Sequence, residues 1–364
     1  MTPIEFCQLL AIDHPIIKAP MAGGADSPAL VAAASEAGGM GFIGGAYLNP
    51  QQLAADCAAV RALTRKPFGV NLFAPELVPE RPTYTDTAIQ ALSPFHTAMD
   101  IPPPHLEGHQ GHSFEQQLET VLNSEASVLS FTFGRLPDAA MQTIRKAGIT
   151  LIGTATSTEE ARLLEHSGVD AIVVQGSEAG GHRGGFSNNT PMIGTLALVS
   201  QASAAVKVPV IAAGGIMNGQ GVRAALQLGA CAAQLGTAFL TCPEATIPDS
   251  YKQAILSSKA EQTRLTRAFS GRYARGITNR VMDILDAQPD AILPFPWQNN
   301  LTRPLRSAGA QADNANYLSL WAGQGLEQAR QLSASQLMAA LIEELRETKK
   351  QSPLVAIGQT PHDH

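Results

Sequence analysis

The sequence predicts an α/β protein built on a closed (β/α)8 barrel, and three observations lead to this prediction. Short apolar runs alternate with alanine- and leucine-rich stretches of helical periodicity from residue 15 to about residue 240. There are eight such runs, and none of them resembles the edge strand of an open sheet. The chain of 364 residues is long enough for a barrel and one smaller appendage.

The eight predicted strands are rich in β-branched residues, as buried parallel strands are. In chain order they are PIIKAP, GMGFIG, PFGVNLF, SVLSFTF, TLIGTA, DAIVVQG, VPVIAAGG and CAAQLGT. In barrels of this kind the reactive groups lie on loops that follow the carboxyl ends of the strands. A functional site is therefore expected on the loops after these runs.

Two further parts of the chain depart from the alternation. Residues 73–113 follow the third strand, are rich in proline and histidine, and predict an inserted loop with one short helix that covers the barrel mouth as a lid. We assign the barrel to residues 1–245. The strand pattern then disappears, which predicts a mostly helical subdomain at 246–350 and a loosely held tail at 351–364.

The composition is that of a globular enzyme, with 45% hydrophobic and 15% charged residues. A net charge of −6 without a basic block argues against nucleic acid and against an anionic membrane surface as partners. No basic leader and no apolar run of bilayer length is recognisable. The expected location is the cytoplasm.

Neither the cysteines nor the histidines predict a metal site. The cysteines form no C-x-x-C pair, so we expect reduced, buried thiols; they are Cys7, Cys57, Cys231 and Cys242. His105, His109 and His112 have a suggestive spacing of four and three. Prolines precede this run and glycines interrupt it, so a helix that would align the three side chains is not expected.

Glycine-containing turns after the last two strands predict a phosphate site. Gly214 and Gly215 end the seventh strand, and Gly236 and Thr237 follow the eighth. Barrel enzymes commonly hold a phosphate between these two loops, where main-chain N–H groups face the anion. The alternative is that both are ordinary tight turns.

The stretch VVQGSEAGGHRGG, from Val173 to Gly185, follows the sixth strand and contains one histidine among five glycines. Glycine allows the main chain to approach a planar or anionic ligand closely. His182 would then stand over that ligand as a proton acceptor, because its unperturbed pKa lies near neutrality. The alternative is a solvated loop histidine.

Two neutral amides, Asn71 and Gln175, lie at the ends of otherwise apolar strands. An amide both donates and accepts hydrogen bonds, which suits the N3–H and carbonyl groups of a flavin ring. The alternative is that the backbone satisfies both amides within the core.

Seven motifs together resemble those of the nitronate monooxygenases, formerly called 2-nitropropane dioxygenases, of the class that acts on propionate 3-nitronate. They are HPIIKAPMAGG, PFGVNLFAP, VVQGSEAGGHRGG, IAAGGI, QLGTAFL, FSGRYARGITN and NYLSLWAGQG. The match covers nearly the whole chain in order. EAGGH alone is less specific, because flavin-dependent enoyl-acyl carrier protein reductases resemble it there.

The resemblance implies an FMN-bound barrel with a second domain closing over the flavin, no metal, and oxygen as co-substrate. It implies that His182 is catalytic and that nine further residues contact FMN: Met21, Asn71, Gln175, Gly180, Gly214, Gly215, Gln234, Gly236 and Thr237. The expected chemistry is oxidation of a nitronate through a flavin semiquinone that passes its electron to oxygen. FMN is expected rather than FAD, because no Rossmann fingerprint for an adenosine half is present.

One departure and two alternatives accompany the resemblance. Lys18 stands where the family usually has glutamine, which places a cation near the end of the first strand; Lys18 and Tyr317 are candidates for substrate contacts.

An FMN-dependent NAD(P)H reductase of enoyl thioesters or quinones would share the barrel and the flavin. A non-redox barrel could hold a sugar phosphate with the same glycines. A monomer and a homodimer are both compatible with the sequence.

Overall fold

The computed structural model describes residues 1–75, 80–106, 112–187 and 191–347. The strands in these ranges are β1 (Ile16–Lys18), β2 (Met40–Gly44), β3 (Phe68–Phe73), β4 (Val128–Thr132), β5 (Thr150–Ala155), β6 (Ala171–Gln175), β7 (Gly181–His182), β8 (Val210–Ala213), β9 (Ala232–Leu235), β10 (Thr263–Thr266) and β11 (Ala274–Ile277). The α-helices are α1 (Pro3–Leu10), α2 (Pro28–Glu36), α3 (Pro50–Leu63), α4 (Thr85–Ala98), α5 (Phe114–Leu122), α6 (Asp138–Lys146), α7 (Thr158–Ser167), α8 (Thr195–Ala205), α9 (Gly219–Gln227), α10 (Thr237–Leu240), α11 (Asp249–Ser257), α12 (Arg280–Asp286), α13 (Trp297–Gln311) and α14 (Ala334–Arg346).

Eight of these strands close into a parallel barrel in the order β1, β2, β3, β4, β5, β6, β8, β9. Closure is visible at Ile17, which lies opposite Met40 of β2 on one side and opposite Gln234 of β9 on the other. The eight strands coincide with the eight predicted runs. The prediction of a (β/α)8 barrel is confirmed.

Two apolar layers hold the barrel together, and β6 shows how one strand serves both. Val173 packs inside the barrel, whereas its neighbours Ile172 and Val174 pack outward against the surrounding helices. This alternation follows from the period of two along a strand. Helix α1 adds Phe6 and Leu10 to the inner layer.

The segment after β9 forms a lobe that is not purely helical. Strands β10 and β11 pair antiparallel, and β11 also pairs antiparallel with β7, where Ala274 lies opposite His182. The prediction of a mostly helical subdomain missed both strands because each is four residues long and mixes charged with apolar side chains. This sheet joins the lobe to the loop after β6.

The last helix of the predicted subdomain at 246–350 packs against the barrel. Helix α14 packs against α2 and α9 of the barrel, with Leu337, Met338 and Leu341 in one apolar cluster with Leu30 and Val222. It is therefore the last barrel helix, and the lobe is an insertion between α10 and α14. The tail at 351–364 lies outside the described residues.

Helix α4, in the insertion after β3, packs against the lobe. Helix α4 has 14 residues rather than being short, and its stripe of Ala88, Leu92 and Phe95 is buried against lobe residues such as Leu285 and Leu301. The spacing of four and three places this stripe on one helix face. The packing explains why the helix is long. Residues 76–79 and 107–111, with His109 among them, lie outside the described ranges.

The structure also bears on the state of the cysteines and on helices that could cross a membrane. All four cysteines are buried and free, as predicted. Among the helices in the described ranges, none combines the length and the apolarity that a bilayer crossing requires.

Candidate active site

A cavity of about 620 Å³ opens at the carboxyl ends of the barrel strands, beneath the lobe. This size is typical of a small-molecule site. Its wall includes all ten residues predicted for the site: His182, Met21, Asn71, Gln175, Gly180, Gly214, Gly215, Gln234, Gly236 and Thr237. The lobe contributes further wall residues that the sequence analysis did not single out: Phe269, Ser270, Asn299, Arg303, Arg306 and Trp321. The contacts of the ten with FMN stay a prediction.

The two predicted phosphate loops lie side by side because β8 and β9 are neighbours. Gly214 and Gly215 have φ angles of 124° and 70°, which side chains rarely allow. The N–H groups of Gly215 and Gly236 donate no hydrogen bond within the described part of the chain. Unpaired main-chain donors on adjacent loops form a cradle that suits a phosphate.

The half-buried carboxylate of Glu178 ties the loop after β6 to this cradle. The Thr195 N–H donates to Glu178 Oε2 at 2.8 Å. The Thr195 hydroxyl lies 2.8 Å from the same oxygen and 3.0 Å from the Gly214 carbonyl oxygen. These contacts fix the positions of both loops relative to each other.

Two of the glycines after β6, Gly180 and Gly184, pack closely against neighbouring protein atoms. A Cβ on Gly180 would lie 2.5 Å from the Gly323 nitrogen, and one on Gly184 would lie 2.7 Å from Thr154 Cγ2. At both positions the neighbouring protein atoms are by themselves enough to require glycine. They let the loop lie against the lobe and the barrel wall.

His182 is a half-buried residue of β7 and not the solvated loop histidine of the alternative. Its Nε2 lies 2.8 Å from Ser270 Oγ, and that hydroxyl lies 3.0 Å from the Arg272 carbonyl oxygen. A serine hydroxyl that donates to this carbonyl accepts from Nε2–H, which leaves the Nδ1 lone pair free to accept. The ring packs near Trp321 and Phe133, at centroid distances of 5.6 and 6.0 Å.

The surroundings keep this histidine neutral. Burial, together with the positive charges of Arg272 and Arg306, lowers the pKa of His182 to about 3. At physiological pH the imidazole is therefore uncharged. Protonating it requires a negative partner in the cavity to offset the two guanidinium charges.

The two predicted amides, Gln175 and Asn71, differ in how many of their hydrogen-bonding groups remain free for a ligand. Gln175 donates to the His182 carbonyl at 3.0 Å and accepts from the Gly184 N–H at 2.8 Å, so it mainly holds the loop, as the alternative stated. Asn71 donates to Ser130 Oγ at 2.8 Å. Its Oδ1 has no partner within the described residues, which leaves an acceptor at the cavity wall.

Lys18 does not reach the cavity, contrary to the expectation that it contacts substrate. It is fully buried, forms an ion pair with Asp26, and donates to the Phe42 carbonyl at 2.8 Å. Burial lowers the pKa of Lys18, and the Asp26 charge opposes that shift. Asp26 in turn accepts from the Met21 N–H at 2.8 Å. The pair fixes the loop that carries Met21.

Tyr317 is also not a wall residue. It is 6% exposed and packs in the lobe core, with its ring edge-on to Phe95 at 6.3 Å.

No metal centre was expected, and the described residues contain no group of three or more histidine, cysteine, aspartate or glutamate side chains that could hold an ion.

Comparison with known proteins agrees with this geometry. The profile of the nitronate monooxygenase family matches residues 5–344. A probable nitronate monooxygenase from Staphylococcus aureus is 41% identical over 347 residues, which cover 93% of this chain and 96% of the relative. A nitroalkane oxidase from Streptomyces ansochromogenes superposes with a TM-score of 0.87 at 38% identity, over 93% of this chain and 97% of that one. FabK from Thermotoga maritima superposes with a TM-score of 0.73 at 26% identity, over 94% and 96% of the two chains. The chain belongs to the nitronate monooxygenase family.

Proposed function

We propose that this oxidoreductase is an FMN-dependent nitronate monooxygenase that oxidises propionate 3-nitronate and alkyl nitronates with O2. The observation that carries the proposal is a neutral His182 in the same cavity as an unpaired main-chain cradle. A cofactor phosphate at the cradle leaves the histidine side of the cavity for a small anion.

The cradle and the barrel wall fit FMN. Free N–H groups at Gly215 and Gly236 would hold its phosphate, and Asn71 Oδ1 would accept from a ring N–H. When bound, FMN supplies the redox chemistry between nitronate and oxygen. The protein binds, orients and shields the reactants.

The charges around His182 favour a substrate that is already ionised. Arg272 and Arg306 oppose a proton on the imidazole, which makes it a weak base for a neutral nitroalkane. They attract a nitronate, whose proton has already left. The neutral ring can then orient the anion, while Phe133 and Trp321 beside it limit the access of water.

Anaerobic stopped-flow mixing of the flavin-loaded protein tests the proposal. Propionate 3-nitronate and, separately, NADH are mixed with the protein while the flavin absorbance is followed. Rapid change with the nitronate alone supports a monooxygenase. Rapid reduction by NADH with no response to the nitronate would replace the proposal with a reductase of enoyl thioesters or quinones.

FMN, and not FAD, is expected to copurify with the protein. The cradle offers one phosphate site, and the sequence contains no Rossmann fingerprint to hold an adenosine half. Denaturing the purified protein and identifying the released flavin by mass spectrometry checks this. FAD as the main species would show that the site has been assigned to the wrong cofactor.

The pH dependence with a pre-ionised substrate is expected to be independent of His182. A folded-state pKa of about 3 keeps the imidazole neutral, so no step from its titration should occur between about pH 5 and 8, whereas an unperturbed histidine would titrate near 6.5. The measurement compares kcat/KM for ethyl nitronate in the wild type and in His182→Asn. A step near pH 6.5 that only the wild type shows would contradict the lowered pKa.

A further inference from the structure

The charged side chains in the described wall of the cavity are Arg303 and Arg306. No aspartate or glutamate lines this part of the wall, although the whole chain has a net charge of −6. Neither arginine forms an ion pair within the described residues. Two unpaired positive charges in a cavity favour an anionic ligand.

Arg306 and Tyr47 also leave buried hydrogen-bond donors unused. Arg306 Nη2 donates to the Asn299 carbonyl oxygen and to Asn299 Oδ1, both at 2.9 Å, which fixes the guanidinium group. Its Nε and the Tyr47 hydroxyl are buried and have no partner in the described part of the chain. Because an unsatisfied buried donor is costly, a ligand that accepts from both would remove the penalty.

The position of these donors separates them from the phosphate cradle. Tyr47 follows β2, and its ring packs edge-on against Phe73 of β3 at 5.3 Å. The cradle follows β8 and β9. In the closed barrel order β1, β2, β3, β4, β5, β6, β8, β9, strand β2 lies three places from β8 and two places from β9, and β3 lies four and three places from them. The unused donors therefore belong to a different group of strands from the cradle.

We propose that Arg306 and the Tyr47 hydroxyl, assisted by Arg303, form a carboxylate subsite that selects nitronates carrying a carboxylate at the far end of a short chain. The guanidinium and the phenol donate, and the carboxylate oxygens accept. This proposal rests on the proposed function and specifies which residues recognise the substrate. The nitronate end then extends from the subsite toward His182.

The kinetic test compares propionate 3-nitronate with propyl 1-nitronate, which lacks the carboxylate. Arg306→Gln is expected to raise KM for propionate 3-nitronate by roughly 10- to 100-fold with little change in kcat, because the carboxylate is bound equally before and during the reaction. Tyr47→Phe should raise it by about three- to tenfold, as expected for a lost hydrogen bond. The KM for propyl 1-nitronate should rise clearly less than the KM for propionate 3-nitronate, because this substrate loses the attraction of Arg306 for the nitronate charge but has no carboxylate contact to lose.

Arg280→Gln serves as the matched control, because this exposed arginine lies in the same lobe and outside the cavity wall. It should change neither substrate's parameters. Equal losses on both nitronates in Arg306→Gln, or unchanged discrimination in both cavity variants, would overturn the subsite. If Arg306→Gln does not fold, Tyr47→Phe decides, because it keeps the ring that packs against Phe73.

A binding measurement separates this subsite from the proposed reaction. Succinate matches propionate 3-nitronate in length and charge but cannot be oxidised by the same route, so calorimetry on the flavin-loaded protein reports recognition alone. Arg306→Gln should weaken succinate binding by about tenfold or more. A wild type that binds succinate through Arg306 but oxidises no nitronate would refute the proposed function and retain the subsite. Succinate affinity that is unchanged in Arg306→Gln would refute the subsite.

Discussion

Replacing His182 with asparagine is expected to reduce activity on neutral nitroethane by at most about 10²-fold, the low end of the usual loss when a general base is removed, because its lowered pKa limits what this base contributes. Activity on ethyl nitronate should fall far less, because that substrate has already lost its proton. The wild type itself should prefer the nitronate, since a pKa of about 3 makes His182 a weak base. Steady-state oxygen uptake with both substrates, at equal flavin occupancy, measures the two losses.

His166→Asn is a suitable control, because His166 is an exposed residue of α7 far from the cavity wall. Asparagine at 182 leaves the main-chain pairing of β7 with β11 intact, so the β7 strand should persist. Equal losses on both substrates would rule out a role confined to proton abstraction. No loss on either would remove His182 from the mechanism.

Gly236→Asp should empty the flavin site. Like charges about 4 Å apart near a protein surface repel by about 4 kcal/mol, which corresponds to weakening on the order of 10³-fold. The fold should tolerate the change, because Gly236 has a φ of −107° and a Cβ there would meet only Ala19 Cβ at 3.6 Å. The flavin-to-protein ratio and reconstitution of the apoprotein with FMN provide the measurement.

Gly236→Asn isolates the charge, because asparagine has the same size and no charge. It should retain much of the flavin. Gly215→Asp is a less specific test, since that residue has a φ of 70° and its Cβ would lie 3.2 Å from Glu178 Cβ, so strain would accompany repulsion. Full flavin occupancy in a folded Gly236→Asp would show that the loop after β9 does not hold the phosphate.

The barrel and the location of the site could be predicted because both follow from local patterns. Buried parallel strands are continuous apolar runs, and loops after such strands meet at one end of a barrel whatever their length. His182, Asn71 and Gly215 reach one cavity for this reason. Glycine was a weaker guide, because its sequence signal is the same whether a ligand or a neighbouring chain segment requires the space, as Gly180 demonstrates.

The other features of the site could not be predicted, because they depend on contacts between distant parts of the chain. The local sequence does not distinguish Lys18 from a solvent-accessible lysine. Only the folded loop brings Asp26 next to it. Ser270 lies 88 residues from His182, and a small hydroxyl between Phe269 and Gly271 carries little signal by itself. Arg306 lies two residues after Pro304 within α13. In a sequence such a proline usually indicates that a helix ends or is kinked.

The insertion of the lobe between α10 and α14 makes this protein a poor candidate for dissection into modules. Both ends of the lobe are anchored in the barrel, and β7 of the barrel loop is the third strand of the lobe's sheet. A shortened chain that ends before the lobe would lose the last barrel helix and leave the edge of His182's strand unpaired. The smallest unit that can position the imidazole is therefore the barrel together with its lobe, and the two are expected to unfold as one cooperative unit.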